Sequence, residues 1–214
     1  MKIEIKHRSS QSTLFSHDVE QNTLKITLAA AIKAGVDLGG VDLSGVDLSD
    51  VDLSDVDLGD VNLYRAKFCG ANLCSANLVE AILRHSIWRN ADLSGANLRG
   101  ADLSYANLSG SILSNTYMDG ANLYGTNFCG AILDGEVLTQ NPISISCLNW
   151  PVLISDGFMR IGCQRHSHQE WASFDNAQIS NMASEALKFW RQWKQPLLAM
   201  CSAHAGKIVS KEVG

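Results

Sequence analysis

Val41-Asp42-Leu43-Ser44-Gly45, Ala91-Asp92-Leu93-Ser94-Gly95 and Ala121-Asn122-Leu123-Tyr124-Gly125 are lines of one five-residue repeat. It runs from Val36 to Gly135, twenty copies without an insertion or a deletion. The third residue of each copy, its centre, is Leu sixteen times and otherwise Phe68, Trp88, Met118 or Phe128. Two places before the centre stands Val, Ala, Ser or Thr, and in fourteen copies the residue between is Asp or Asn. An α-helix turns about 100° per residue, so centres five apart would scatter around its axis. In a strand, side chains alternate with period two, and centres five apart would fall on opposite faces. A strict period of five instead fits a short extended piece with its first and third residues pointing inward, then a two-residue corner. Gly and Ser at the corners suit it, because turns need small side chains or unusual dihedrals. A chain that turns a corner every five residues winds into a coil, and stacked coils bury their inward rows. Spacing alone gives a closed polygon, without the number of its sides.

The pattern Ala-(Asp/Asn)-Leu followed by two free residues resembles the signature of the pentapeptide-repeat family, over 100 of the 214 residues. The resemblance implies a mainly β fold, a right-handed quadrilateral β-helix with four repeats per coil and therefore about five coils. Residues twenty apart then stack. One column of centres becomes Leu48, Phe68, Trp88, Leu108 and Phe128, beside Val46, Ala66, Ser86, Ala106 and Thr126. The aromatic column is expected to be ring-on-ring packing inside a solid rod and not a ligand slot.

Three domains are expected: an N-terminal cap at 1–35, the β-helix at 36–135 and an α+β unit at 136–214. In the cap, Ile3 and Ile5 alternate with charged residues as in a strand, and Thr13-Leu14-Phe15 offers a hairpin partner. Asn22 or Thr23 offers an N-cap to a helix with Leu24, Leu28, Ala31 and Ile32 on one stripe, closed by Gly35. Such a helix would cover the open end of the first coil. In the C-terminal unit, strands are predicted over 143–148, 152–155 and 158–163, with Asp156-Gly157 as a tight turn. A helix from about Asp175 carries Ile179, Met182, Ala186, Phe189 and Trp193 on one stripe, and Pro196 breaks or kinks it. The stretch from Ile161-Gly162-Cys163 through His166 to Trp171 resembles one in pentapeptide-repeat proteins of phage or prophage type.

Charge is uneven. The formal net charge is −5, yet residues 36–60 hold eight aspartates and no Lys or Arg. Residues 61–135 balance, and the two ends carry +2 and +1. Asp37, Asp42, Asp47, Asp50, Asp52, Asp55, Asp57 and Asp60 are therefore the candidate partner-binding residues. They have two readings. As carboxylates they cap corner amides and keep the rod soluble; as a surface they attract a basic partner. Lys67 is placed to pair with Asp47. Ile112 and Ile132 replace the outward Asp/Asn in one column, and a cover is expected over them, either the C-terminal unit or a second copy in a homodimer.

Cys163, His166 and His168 are a cluster with metal-ligand residue types, and zinc would want a fourth ligand such as Cys147. The alternative reading is a buried strand cysteine beside surface histidines. Cys69, Cys74 and Cys129 take outward corner positions. No nucleophile elbow, phosphate-cradling glycine loop or dinucleotide fingerprint is present, and a convex rod offers no cleft for paired carboxylates. The chain is expected to be a non-enzyme without a cofactor. It has no apolar run near eighteen residues and no basic start followed by an apolar stretch. Six cysteines without paired spacing then point to reduced thiols and a cytoplasmic, bacterial or phage setting. The leading function is a non-enzymatic protein-interaction scaffold that does not touch nucleic acid or membrane. The alternative comes from family members that protect DNA gyrase: a DNA-mimicking modulator of gyrase or another nucleic-acid-binding protein. A metal-dependent activity at Cys163 and His166 is a third.

Overall fold

The computed structural model describes residues 1–20, 23–145, 148 and 150–209. Its contacts divide the chain into two units, residues 1–137 and 138–214.

The first unit begins with strands β1 (Lys2–Lys6) and β2 (Thr13–Asp18), antiparallel with Ile5 opposite Phe15. Helix α1 (Leu24–Lys33) follows; Thr23 caps it by accepting from the Ile26 N–H, while Asn22 lies outside the described residues. At its end the Gly35 N–H bonds to Ile32 O and the Val36 N–H to Ala31 O, with Gly35 at φ +69°. That is a Schellman ending, and it needs the glycine. Thr27, Leu28 and Ala31 form the buried stripe, with Leu24 and Ile32 half-buried beside it. The cap is tied to the first coil by the Arg8 N–H on Gly40 O (2.8 Å) and by Lys25 Nζ on Ser49 O.

From Asp42 onward the repeat winds as a β-helix solenoid. Parallel bridges join residues twenty apart, from Asp42 with Asn62 up to Ile112 with Ile132, so four repeats complete a coil. Two strand bonds link each extended piece to the next coil, for example Leu43 N–H to Asn62 O (2.8 Å) and Asn62 N–H to Val41 O (2.9 Å). Each corner is closed by a bond from the next repeat to the centre, as from Val46 N–H to Leu43 O (3.2 Å). The fifth residue of the repeat takes a positive φ throughout the block, whether Gly or a residue such as Asp50, Arg65 or Tyr105. Inward rows are buried except at Val36, Val51, Val56 and Leu123, which are half-buried, and buried hydroxyls among them find carbonyls: Ser111 on Leu108 O, Thr116 on Leu93 O, Thr126 on Leu103 O. Phe68 and Trp88 stack at 3.9 Å and 10°, and the Trp88 indole donates to Ser86 Oγ at 2.6 Å. The solenoid ends on a hairpin of β3 (Ile132–Leu133) and β4 (Glu136–Val137), turned through Asp134 and Gly135, both at positive φ. This carries the first unit to residue 137, two beyond the last repeat.

The second unit has a four-stranded antiparallel sheet, β5 (Ile143–Ile145), β6 (Val152–Ile154), β7 (Phe158–Ile161) and β8 (Gln164–Ser167), in that order. The sequence shows three of these strands. The fourth arises because the chain reverses at Gly162-Cys163, with Gly162 at φ +56°, where one longer strand is predicted. Helices α2 (His168–Ser173) and α3 (Asn176–Ser180) follow, each started by a capping box, Ser167 with Glu170 and Asp175 with Gln178. Of the expected break or kink at Pro196 the break does not occur, since helix α4 (Ala186–Val209) is continuous through it; proline here gives up one backbone bond without ending the helix. The predicted single helix from Asp175 is instead two, parted by Glu185 at φ +65°. The core joins Ile154, Met159 and Ile161 of the sheet to Trp171, Ile179, Phe189, Trp190 and Leu197. No helix of the described residues is long and apolar enough to cross a membrane.

Candidate interaction surfaces

The eight aspartates fall into two geometric groups. Asp37, Asp42, Asp47, Asp52 and Asp57 each accept the backbone N–H two residues on, at 2.9–3.1 Å. Ser49 and Ser54 add their hydroxyls to Asp47 and Asp52, at 2.7 and 2.8 Å. These serines, hydroxyl first and amide second, hold both carboxyls below the usual carboxylate range. In the next coil a donor stands over four of the five: Asn62 on Asp42, Lys67 near Asp47, Asn72 on Asp52 and Asn77 on Asp57. The Lys67–Asp47 pair spans 3.6 Å between exposed side chains, and such pairs contribute little. Asp50, Asp55 and Asp60 instead occupy left-handed corner positions, φ +58° each, and are exposed. Asp tolerates that conformation better than most residues. Every aspartate of the run thus has a local structural part, and all eight still leave carboxylate charge at the surface.

Ile112 and Ile132 are brought together. They are bridge partners in successive coils, both half-buried, and Ile132 also faces Val137 across the β3–β4 hairpin. Their neighbour Val137 is exposed.

Cys163, His166 and His168 are not brought together. Cys163 is exposed in the β7–β8 turn, so it is not a buried strand cysteine. His166 on β8 meets the ring edges of Trp171 (5.2 Å) and Phe174 (4.8 Å), which occupies it in packing. His168 opens α2. Among the described residues no group of three or more His, Cys, Asp or Glu is placed to hold a metal ion, and Cys147 lies outside them. Cys69 and Cys74 are half-buried and Cys129 is exposed at the solenoid corners. In the second unit burial pushes the Cys201 thiol up to about 11, which keeps it in the unreactive form.

A surface that the sequence reading passed over lies on one corner of the solenoid. Four rings follow one another up it, Tyr64, His85, Tyr105 and Tyr124, at centroid distances of 5.7, 5.2 and 5.4 Å. His85 and Tyr105 lie flat on each other at 6°, and the other two contacts are edge-on. Arg65 lies 5.0 Å over Tyr64, and Arg84 reaches Asp102 at 3.7 Å. Tyr105 is 49% exposed and Tyr124 70%. The Tyr124 hydroxyl beside it pushes the Tyr105 phenol up. Gly125 makes room for the ladder: a Cβ there would stand 2.8 Å from the Tyr105 ring. Corner residues twenty apart carry this signal, Arg65-His85-Tyr105 in one column and Tyr64-Arg84-Ser104-Tyr124 in the one beside it. Stacking only the centres hides it. The charge also separates along the coil axis, since all five Lys and Arg of the repeat block fall within 65–99, after the acidic run.

A family model described as pentapeptide repeats matches eight copies over residues 34–68, 52–87, 76–115 and 96–135. Among solved structures, Rfr23 of the cyanobacterium Cyanothece 51142, a pentapeptide repeat protein, is 35% identical; the match covers 42% of this chain and 62% of that one, at a TM-score of 0.41. The pentapeptide repeat protein alr5209 of Nostoc PCC 7120 is 32% identical, covering 52% and 82%, with a TM-score of 0.22. A trypsin-treated form of QnrB1, a plasmid-mediated fluoroquinolone resistance protein, is 26% identical, covering 50% and 60%, with a TM-score of 0.30. The chain thus spans less than two thirds of Rfr23 and of QnrB1. No curated protein matches the chain.

Proposed function

The chain belongs to the pentapeptide-repeat family, and on that premise we propose that it is a non-enzymatic scaffold that binds a protein partner on the outside of a right-handed solenoid of five coils. The observation that carries this reading is the corner ladder of Tyr64, His85, Tyr105 and Tyr124 with Arg65 and Arg84. Tyr and Arg are the residues enriched where proteins bind one another, because they offer broad contact area with a polar tip. Beyond its edge contact with Tyr105, the Tyr124 ring lies largely in water, open to a partner. The solenoid's inward rows, by contrast, are filled by their own side chains. The setting we take for it is cytoplasmic. The test is capture from an extract of the native host by the whole chain and by the double substitution Tyr105→Ser, Tyr124→Ser. A partner retained by the native protein and lost with the serines supports the reading. A captured set that is the same for both removes the corner as the contact.

Two further surfaces go with this reading. Ile112 and Ile132 would be the contact of a second copy; changing both to Asp would turn a dimer into a monomer by light scattering, and an unchanged mass sets that contact aside. The acidic run is the basis of the second reading, a DNA-mimicking modulator of DNA gyrase or another nucleic-acid-binding protein. What favours it is the confinement of eight carboxylates, without one Lys or Arg, to residues 36–60.

A further inference from the structure

The second unit holds a half-open pocket of about 150 Å³. Trp150, Ile161, Trp171, Met182, Phe189 and Trp190 supply most of its wall, and Cys163 and Gln164 are the polar side chains that line it. An apolar space of about this volume has room for a guest of benzene size. Its ring pairs touch at a tilt and are not stacked. Trp150 and Phe189 stand 5.1 Å apart at 49°, and Trp171 and Trp190 5.1 Å apart at 40°, unlike the flat 3.9 Å stack of Phe68 and Trp88. The indole N–H groups of the wall also differ. That of Trp171 donates to Met159 O at 2.6 Å, while that of Trp190 is buried with no acceptor among the described residues. A buried donor left unmet is costly, and it marks a place where an acceptor is wanted.

We infer that this cavity is a binding site for a small single-ring aromatic molecule that carries one hydrogen-bond acceptor. The size comes from the volume, the ring from the tilted aromatic walls, and the acceptor from the Trp190 N–H. The site is independent of the solenoid surface and of the scaffold reading.

The whole chain, labelled with ¹⁵N at its five tryptophans, gives one indole N–H signal for each. Toluene and p-cresol are the probes; they share a ring, and only the second carries an oxygen that can accept. Both should bind with a Kd of roughly 0.1–1 mM, the ordinary scale for fragments of this size. p-Cresol should bind about tenfold tighter and move the Trp190 signal furthest. Trp190→Phe should abolish that preference and keep toluene binding. Ala183→Phe, at an exposed lining residue, should weaken both probes about tenfold or more without unfolding the protein. If neither probe shifts a signal in a protein shown folded by its melt, the cavity is a packing void and the inference fails. Binding that leaves Trp190 unmoved and survives Ala183→Phe places the probe elsewhere and overturns it too. Equal affinity for the two probes overturns the assignment of the acceptor.

Discussion

In the solenoid, Trp88 lies flat on Phe68 and gives its N–H to Ser86, two residues back. In the C-terminal unit, Trp190 tilts against Trp171 and keeps a buried N–H without an acceptor among the described residues. The two regions reach their packing by different routes. The repeat fixes each inward side chain from its own five residues and from the coil twenty residues away, so a single column specifies contact, rotamer and partner. The α+β unit gathers its core from three strands and three helices of unrelated sequence, and nothing forces its rings to lie flat on one another. Regular stacking fills the interior; an irregular core leaves room, and room inside a protein is where a ligand can go.

The sharpest way to break that contrast is Trp88→Ala. It opens a void against Phe68 in a wall that cannot collapse, because the neighbouring coils are pinned by strand bonds. The expected loss is about 3–5 kcal/mol. Denaturant melts check it, and a loss below about 1 kcal/mol would show that the column is not tightly packed. The same change at Trp190 borders a cavity already present and should cost less. A larger loss there reverses the comparison.

The second test separates backbone strain from side-chain overhang at two glycines. Gly45 and Gly125 both sit at φ +68°, but a Cβ on Gly45 meets nothing within 4 Å, whereas one on Gly125 would press on the Tyr105 ring. Gly45→Ala should cost about 1 kcal/mol, the price of left-handed backbone alone. Gly125→Ala should cost about 2 kcal/mol and should also disturb the Tyr105–Tyr124 contact, visible as a change in tyrosine near-ultraviolet dichroism. Equal costs would mean that the ladder yields freely and is not a preformed surface.

How much of this was legible in the sequence follows from the same contrast. The solenoid could be read almost to the residue, since period five excludes helix and strand and the resemblance supplies the coil length. Lys67 beside Asp47, and Phe68 on Trp88, follow from counting twenty. The C-terminal unit could not be read so far. Gly162-Cys163 reverses the chain where β-rich sequence simply continues, and Glu185 takes a left-handed conformation that no local pattern announces. Pro196 carries a breaker's signal, yet the helix around it is held by Leu197 and Cys201 in the core. The aromatic corner was legible in principle. It required the outward columns to be stacked as the inward ones were.

A third test uses acid on the second unit. Asp156 is 3.2 Å from His204 Nε2, and its other oxygen accepts from Thr139, N–H at 2.8 Å and hydroxyl at 2.7 Å. Burial would raise this carboxyl, but the two Thr139 bonds, Gln140 and the nearby His204 outweigh it and hold the group below its usual range. A depressed carboxylate contributes stability above its unfolded pKa of about 3.9, and that contribution is lost as pH falls through the lower folded value. Tryptophan dichroism of the second unit should therefore melt at lower temperature below about pH 4, and Asp156→Asn should flatten that dependence. An unchanged pH profile in the variant would show that the Thr139 and His204 contacts do not hold the unit.

The smallest structural effect is expected where the charge change is largest. Replacing Asp42, Asp47, Asp52 and Asp57 by Asn removes four charges from the acidic run and leaves the corner chemistry in place. Asn already does this work in the same position: Asn62 and Asn72 accept the N–H of Tyr64 and Cys74 at 3.1 Å, as aspartate does elsewhere. The new amides should turn Oδ1 to the corner N–H. They cannot also accept as strongly from Asn62, Asn72 and Asn77 above, so the melting temperature should fall by only about 2–4 °C. Function is where the variant discriminates. If residues 36–60 act as a DNA-like surface, the native protein should alter gyrase supercoiling at low salt. The effect should fade as salt rises and vanish in the variant. If native and substituted proteins behave alike, the aspartates serve the corners and solubility. Partner contact then falls to the aromatic corner, whose rings the four substitutions leave untouched.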